Sequence, residues 1–226
     1  MSHLPIRRAG LAVVAAAILS AACGHPEQNV IDKYFQAVNA KDNQTLASFA
    51  LVTFDKKVDK WTVKKTISEN KEPAPLTGLV KKQKDLEAQF NANKKEYNTY
   101  NLDHLTEVTE VRDLKKNGGK IPPKLAATAS DWDKFEQKEG DLKKQLANAK
   151  NAAAREKANM MVSIGNVDEV EGLEGDVINK QVELELLIGG QPETYVMTLR
   201  KYDVKPSSGK GGKVISRWVV AGLQKA

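Results

Sequence analysis

The stretch from residue 76 to residue 160 carries apolar and aromatic side chains at seven-residue spacing, and no other feature restricts the fold of this chain so strongly. A seven-residue repeat places these side chains in a stripe along an α-helix, where a second helix can cover them. The first half of the stretch contributes Leu79, Leu86, Phe90, Tyr97, His104 and Val111. The second half contributes Trp132, Phe135, Leu142, Leu146, Ala149, Ala153 and Met160.

Glycines and prolines divide this repeat into two helices. Residues 117–119 (Asn-Gly-Gly) end the first helix and residues 121–123 (Ile-Pro-Pro) turn the chain, because glycine ends helices and proline does not continue them. Pro75 marks the start of the first helix, and Ser130 is the predicted N-cap of the second. The pattern therefore predicts an antiparallel helical hairpin of the coiled-coil type, about 50 Å long at 1.5 Å per residue.

The predicted seam between the two helices is thin, since alanine, asparagine and glutamate occupy several of its positions. Such a seam suits a projecting two-helix arm better than the centre of a bundle. Over residues 76–160, lysine and arginine number 17 and the acids 13, and the two signs are mixed. This mixture favours a solvated surface, with an electrostatic binding face as the alternative.

The segments on either side of the arm predict helices followed by strands. An apolar stripe from Val30 to Val38 predicts one helix, and residues 45–51 predict a second, shorter one. The predicted strands are residues 58–67, 177–188, 195–199 and 214–220. Gly189 and Gly190 separate two of these strands and are typical of a two-residue hairpin turn.

The first 22 residues have the layout of an export signal. Arg7 and Arg8 precede an apolar run, Ala9–Leu19, which is shorter than the roughly 20 residues needed to span a bilayer. The small residues 20–22 (Ser-Ala-Ala) then precede Cys23, the only cysteine of the chain. This arrangement resembles the lipobox of bacterial lipoproteins, in which the cysteine is acylated and becomes the first residue of the mature protein.

The lipobox resemblance implies a protein anchored to a membrane of the bacterial cell envelope through diacylglyceryl and palmitate-type chains on Cys23. Lipoboxes usually have leucine three places before the cysteine, where this chain has Ser20, and the alternative is an ordinary secretory signal. Gly24 stands where some bacteria place an aspartate that retains lipoproteins in the inner membrane. The periplasmic face of the outer membrane is therefore the expected location.

Composition excludes several classes of function. Removal of residues 1–22 takes away two arginines and no acid, so the formal net charge falls from +6 to +4, which argues against nucleic acid as a partner. Because Cys23 is the only cysteine, the rest of the chain forms no disulfide and no cysteine-based metal site. The glycines near residues 118 and 209–212 lack the helix and lysine of a phosphate-binding loop, so we expect neither a metal nor a cofactor.

The two flanking segments resemble NTF2-like domains (SnoaL-like, cystatin-like), which occur in many bacterial lipoproteins. The resemblance lies in VIDKYFQAVNAKDNQTLASFA (residues 30–50), in EGDVINKQVELELLIGGQPETYVMTLRKY (residues 174–202) and in a last strand with Trp218. It implies an α+β fold, a curved antiparallel sheet packed on N-terminal helices and interrupted by the arm. The predicted divisions are a signal (1–22), two parts of one domain (23–75 and 161–226) and an inserted hairpin (76–160). The alternative is a separate coiled coil beside an unrelated β domain.

NTF2-like domains contain an open cone between sheet and helices, which can hold a ligand or a catalytic site. Here the resemblance implies a cone lined by Tyr34, Phe35, Phe49, Trp61 and Trp218. The polar residues near it do not form a catalytic set. We interpret Asp42 as a helix cap, Asp55 and Asp59 as solvent-facing, His25 as part of the membrane linker and His104 as a packing residue of the arm.

Three functions are compatible with these observations. The favoured one is a non-catalytic envelope lipoprotein that binds or spaces through its arm, contacting another envelope protein or a second copy of itself. The first alternative is a carrier of a small apolar ligand in the cone, and the second is an enzyme that uses an aspartate there. A cone filled with side chains favours the spacer, and an open aromatic pocket favours the carrier. Two converging carboxylates, or a carboxylate beside a histidine, favour the enzyme.

Replacement of Cys23 by serine tests the lipid anchor. Because the thiol accepts the diacylglyceryl group, and the cleavage that frees the amine for acylation follows this step, we expect Cys23→Ser to leave the protein unlipidated and absent from detergent-extracted membranes. Intact mass and membrane fractionation measure both effects. Unchanged mass and partitioning in the variant would contradict the anchor.

Overall fold

The computed structural model describes residues 27–165, 169–209 and 212–226, and the signal, Cys23 and His25 lie outside these ranges. The chain forms an α+β fold, as the sequence predicts. Its helices are α1 (Gln28–Ala40), α2 (Asn43–Phe49), α3 (Leu76–Asp103), α4 (Leu105–Lys116) and α5 (Ala126–Ile164). Its strands are β1 (Lys60–Pro73), β2 (Leu173–Ile188), β3 (Gln191–Pro206), β4 (Val214–Ile215) and β5 (Val219–Lys225).

The described strands form one antiparallel sheet, curled into a half-barrel. β2 lies between β1 and β3, and the far edge of β3 pairs with β4 at one end and with β5 at the other. The turn between β2 and β3 is made by Gly189 and Gly190, whose φ angles are 55° and 79°. Two successive residues with positive φ are typical of the hairpin turn that glycine favours, so the predicted turn is confirmed.

The half of the β2–β3 hairpin nearest its turn packs against α1 and α2. The apolar side chains on this face are Val182, Leu184 and Leu186 of β2 and Tyr195, Met197 and Leu199 of β3. They meet the stripe predicted for the first helix, of which Ile31, Tyr34 and Phe35 have no exposed surface. This cluster, the first core, holds the N-terminal helices on the sheet.

The other half of the same hairpin packs on its opposite face. Its buried side chains are Leu173 and Val177 of β2 and Tyr202 and Val204 of β3. Successive side chains of a strand point to opposite faces, and the pairing of β2 with β3 runs from residue 173 to 188 in one register. Near the turn, the buried residues of β2 are even-numbered, whereas in this other half of the strand they are odd-numbered. The two sets therefore lie on different faces of the sheet. We call this cluster the second core.

The helical arm is formed by α3, α4 and α5, and every residue of its predicted seam is buried or half-buried. Leu86, Leu142 and Ala149 pack together in the middle of the arm, and Val111, Leu125 and Ala129 pack together at its far end. α5 has 39 residues and so is about 58 Å long. His104 separates α3 from α4, which continues toward the tip.

The return helix differs from the prediction at both ends. It begins at Ala126, because a 3-10 turn at Pro123–Leu125 leads directly into it, and Ser130 is an exposed residue inside the helix instead of its N-cap. It ends at Ile164, four residues beyond the predicted boundary, where Gly165 adopts a φ of 74°. Glycine takes this conformation without the strain that a side chain would add.

The base of the arm is part of the second core. Leu76, the first residue of α3, and Met160, near the end of α5, have no exposed surface and pack with Val170 and Tyr202. Further out, Lys150 forms an ion pair with Glu87 across the seam, with 3.0 Å between Nζ and Oε1. The arm is therefore joined to the sheet at its base, and the part beyond residues 87 and 150 projects from it.

Two deletion variants distinguish the contribution of the projecting arm to stability from the contribution of its base. Replacing residues 89–148 by a short Gly/Ser linker keeps both cores, so we expect cooperative thermal unfolding to persist. Joining residue 75 to residue 161 removes Leu76 and Met160, and we expect it to cost about 4 kcal/mol or more of folding stability. Circular dichroism with chemical denaturation measures both. Equal stability of the two variants would show that the base does not belong to the core.

Candidate functional site

Three of the five aromatic residues predicted to line a cone are buried in the first core. Tyr34 and Phe35 have no exposed surface, Phe49 is 4% exposed, and the rings of Tyr34 and Phe35 meet edge to face at 5.2 Å. Burial raises the pKa of Tyr34 to about 12. Trp61 covers Phe35 at 5.3 Å between ring centroids and donates a hydrogen bond from Nε1 to Asp32. At these residues, the space between α1 and the sheet is occupied by side chains.

The fifth aromatic residue, Trp218, lies with the edge of Phe49 in a separate surface cleft. This basic cleft has a volume of about 510 Å³ and opens beside the first turn of α1. Its lining residues are Asn29, Val30, Lys33, Ser48, Phe49, Lys201, Ser216, Arg217 and Trp218. Of the predicted lining residues, the structure brings Tyr34, Phe35 and Trp61 together in the first core. Phe49 belongs to that core and also lines the cleft, where it lies with Trp218.

Cations stack on both aromatic rings of the basic cleft. Lys33 Nζ lies 5.9 Å from the centroid of the Phe49 ring, and Lys201 Nζ lies 4.4 Å from that of Trp218. Each position is within the range at which an ammonium group is attracted by an aromatic face. The stacking holds two positive charges at the cleft, and neither lysine forms an ion pair with a carboxylate of the described part of the chain.

Arg217 joins three elements at the wall of the basic cleft. Its guanidinium group donates hydrogen bonds to the carbonyl of Ser48, at 2.6 Å, and to the carbonyl of Val162, at 3.1 Å. These carbonyls belong to the last turns of α2 and α5, where the carbonyl groups lack helical partners. The arginine therefore provides hydrogen-bond donors for carbonyl groups at the ends of two helices, and so holds these ends together at the cleft wall.

The polar residues considered for catalysis have other roles or lie in solvent. Asp42 caps α2, as predicted, by accepting hydrogen bonds from the hydroxyl group and the backbone N–H of Thr45. Those bonds hold the pKa of Asp42 below its usual range. Asp55 and Asp59 are exposed, and His104 stacks on Tyr100 at 4.5 Å while half of its side chain meets solvent.

A buried charge cluster joins the arm to the second core. Glu156 of α5 accepts hydrogen bonds from the Tyr202 hydroxyl, at 2.7 Å, and from Arg200, at 3.2 Å. Arg200 Nε also donates to Asn179, at 2.8 Å. Burial, with the nearby Glu156, raises the pKa of Tyr202. Glu156 continues the seven-residue series of Phe135, Leu142 and Ala149. An acid in this apolar series was the only sign of the buried charge cluster in the sequence.

A second buried ion pair lies at the start of α1. Lys180 of β2 contacts Glu27 at 2.9 Å and Glu69 at 3.4 Å, and the Glu27 side chain has no exposed surface. Burial alone lowers the pKa of Lys180, but the hydrogen bond and charge of Glu27, together with Glu69, outweigh it and keep that pKa above its usual value. This pair fixes the point at which the chain enters the first core.

The arm carries a second candidate surface, at Tyr100 and Phe135. Their ring centroids are 5.3 Å apart, and clefts of about 340 and 560 Å³ lie on either side of the pair. Both aromatic residues line both clefts, whose rims consist mainly of lysines and acids. The most exposed leucines, Leu102 and Leu105, are close by in sequence, 74% and 61% exposed, at the break between α3 and α4.

Comparison of the chain with known protein families, with curated protein sequences and with solved structures gave no match. Within the described ranges, His, Cys, Asp and Glu side chains form no group of three or more suited to a metal ion. In the same ranges, no helix combines the length and apolar character needed to cross a bilayer. The geometry of the basic cleft and of the arm is therefore the main guide to function.

The buried charge cluster predicts that two glutamates, Glu156 and Glu171, contribute very different amounts to the free energy of unfolding. Glu156→Gln leaves Arg200 without its counter-charge in a mostly buried place, and we expect it to lower the free energy of unfolding by about 2–3 kcal/mol. Glu171→Gln is the matched control, because its pair with Lys157 is exposed and should contribute little. Urea unfolding measures both. Similar stability of the two variants would show that the Glu156 cluster does not hold the arm base to the sheet.

Proposed function

We propose that this protein is a cell-envelope lipoprotein, tethered through Cys23, that acts as a non-catalytic binding or spacing module through its arm. The observation that carries the proposal is the aromatic pair Tyr100 and Phe135, which reaches the arm surface between two clefts. Aromatic residues surrounded by a polar rim are typical of the centre of a protein interface. The proposed partner is another envelope protein, with a second copy of this chain as the other outcome of the test.

The length of the arm supports a reach beyond the domain. Tyr100 lies 24 residues after Leu76 on one continuous helix, which places it about 36 Å from the base of the arm. The base is fixed by the second core and the Glu156 cluster, so the position of the surface at Tyr100 follows from that of the sheet. A partner bound there would be held at a set distance from the sheet.

We also propose that residues 23–75 and 161–226 form an NTF2-like domain. In support, a curled antiparallel sheet packs on an N-terminal helix through the apolar stripe that carries the resemblance. The filled space at Tyr34 and Phe35 favours the binding or spacing function over a carrier that holds its ligand among those residues. The proposed location is the periplasmic face of the outer membrane.

Exposed leucines on the arm allow a test that leaves the fold intact. We expect Leu102→Gln with Leu105→Gln to weaken capture of partner proteins from crosslinked envelopes at least about tenfold, since two apolar side chains would no longer be buried. Ile215→Gln, at an equally exposed apolar residue of β4, is the control. The mass of the purified protein in solution distinguishes self-association from a foreign partner. An unchanged set of captured proteins, and no change of mass, would contradict a binding role for this part of the arm.

A further inference from the structure

The basic cleft has the composition of a site for an anionic group. Lys33, Lys201 and Arg217 line it, and its described lining contains no aspartate or glutamate. Within the described ranges, neither Lys33 nor Lys201 forms an ion pair, whereas lysines on β1 such as Lys64 and Lys71 pair with acids of β2. Two lysines without an ion-pair partner among the described residues thus lie at one cleft, beside two aromatic rings.

The cleft is also close to the proposed tether. α1 begins at Gln28, and Asn29 and Val30 of its first turn line the cleft. Five residue steps separate Cys23 from Gln28, and a chain of that length spans at most about 18 Å. An acylated Cys23 would thus hold the basic cleft within the range of the lipid headgroups on the membrane that contains the anchor.

We propose that the basic cleft binds the phosphate of an anionic phospholipid in that membrane, an inference that rests on the proposed anchoring at Cys23. Lysine and arginine side chains are the usual partners of phosphate in proteins, and basic residues near a membrane are attracted to its anionic lipids. Trp218 belongs to the residue type enriched at membrane interfaces, where an aromatic ring contacts the acyl region and its N–H remains near the headgroups. Lipid bound here fixes which side of the domain faces the membrane.

The test uses the mature chain from residue 24, which has no acyl chain and so reports the cleft alone. We expect this protein to sediment with vesicles of phosphatidylglycerol and phosphatidylcholine but not with pure phosphatidylcholine. Lys33→Gln with Lys201→Gln should weaken that binding at least about tenfold. Lys94→Gln with Lys144→Gln removes the same charge from exposed residues of the arm and should change it less than about twofold. Lipids brominated in the acyl chain should quench tryptophan fluorescence, and Trp218→Phe should remove most of that quenching.

Three further results decide the source and the site of the phosphate. Equal loss of binding in the two lysine variants, or no binding of the unaltered protein to anionic vesicles, would overturn the proposal. Binding of free glycerol 3-phosphate without vesicle binding would also overturn it in favour of a soluble ligand, with the change of tryptophan fluorescence as the readout. Because the assay contains no lipidated protein, its failure leaves the anchor at Cys23 to be judged separately by Cys23→Ser.

Discussion

The β2–β3 hairpin carries apolar side chains on both faces, and each helical part of the molecule depends on one of them. Near the turn, Leu184 and Met197 belong to the face that buries α1 and α2. Away from the turn, Val177 and Tyr202 belong to the opposite face, which buries the base of the arm. Strands of 16 residues are long enough for both contacts. The N-terminal helices and the arm are therefore coupled through shared strands, although they lie on different faces.

Charged residues mark the place where burial changes from one face to the other. Lys180 lies on the face of the first core, beside Glu27, and its neighbour Asn179 lies opposite Arg200 on the face of the second core, beside Glu156. Buried charges are stabilised only when their partners are well placed, and an unpaired one is costly. Shifting either helical part along the sheet would separate these partners. The two ion pairs thus restrict where each part packs, in addition to the apolar contacts.

The sequence predicted those features that a local period or a short motif encodes. The seven-residue repeat predicted the arm, Gly189 and Gly190 predicted the hairpin turn, and Asp42 was correctly interpreted as a cap. Period alone could not decide whether the aromatic residues of α1 line a space or fill it, because it reports only which face they occupy. The basic cleft was not predictable, since α1, β3 and the link between β4 and β5 each supply one cation from distant parts of the chain.

The position of the arm in the chain has a consequence for the order of folding. Ser68 of β1 pairs with Gln181 of β2 across 113 residues, most of which belong to the arm. If that segment were unstructured, closing the loop would cost about 2 kcal/mol more than closing one of about ten residues. A folded arm brings its two ends together and removes most of this entropy. Since helical hairpins form through local contacts and strands distant in sequence pair slowly, an arm that folds first would let β1 pair with β2 across a much shorter effective loop.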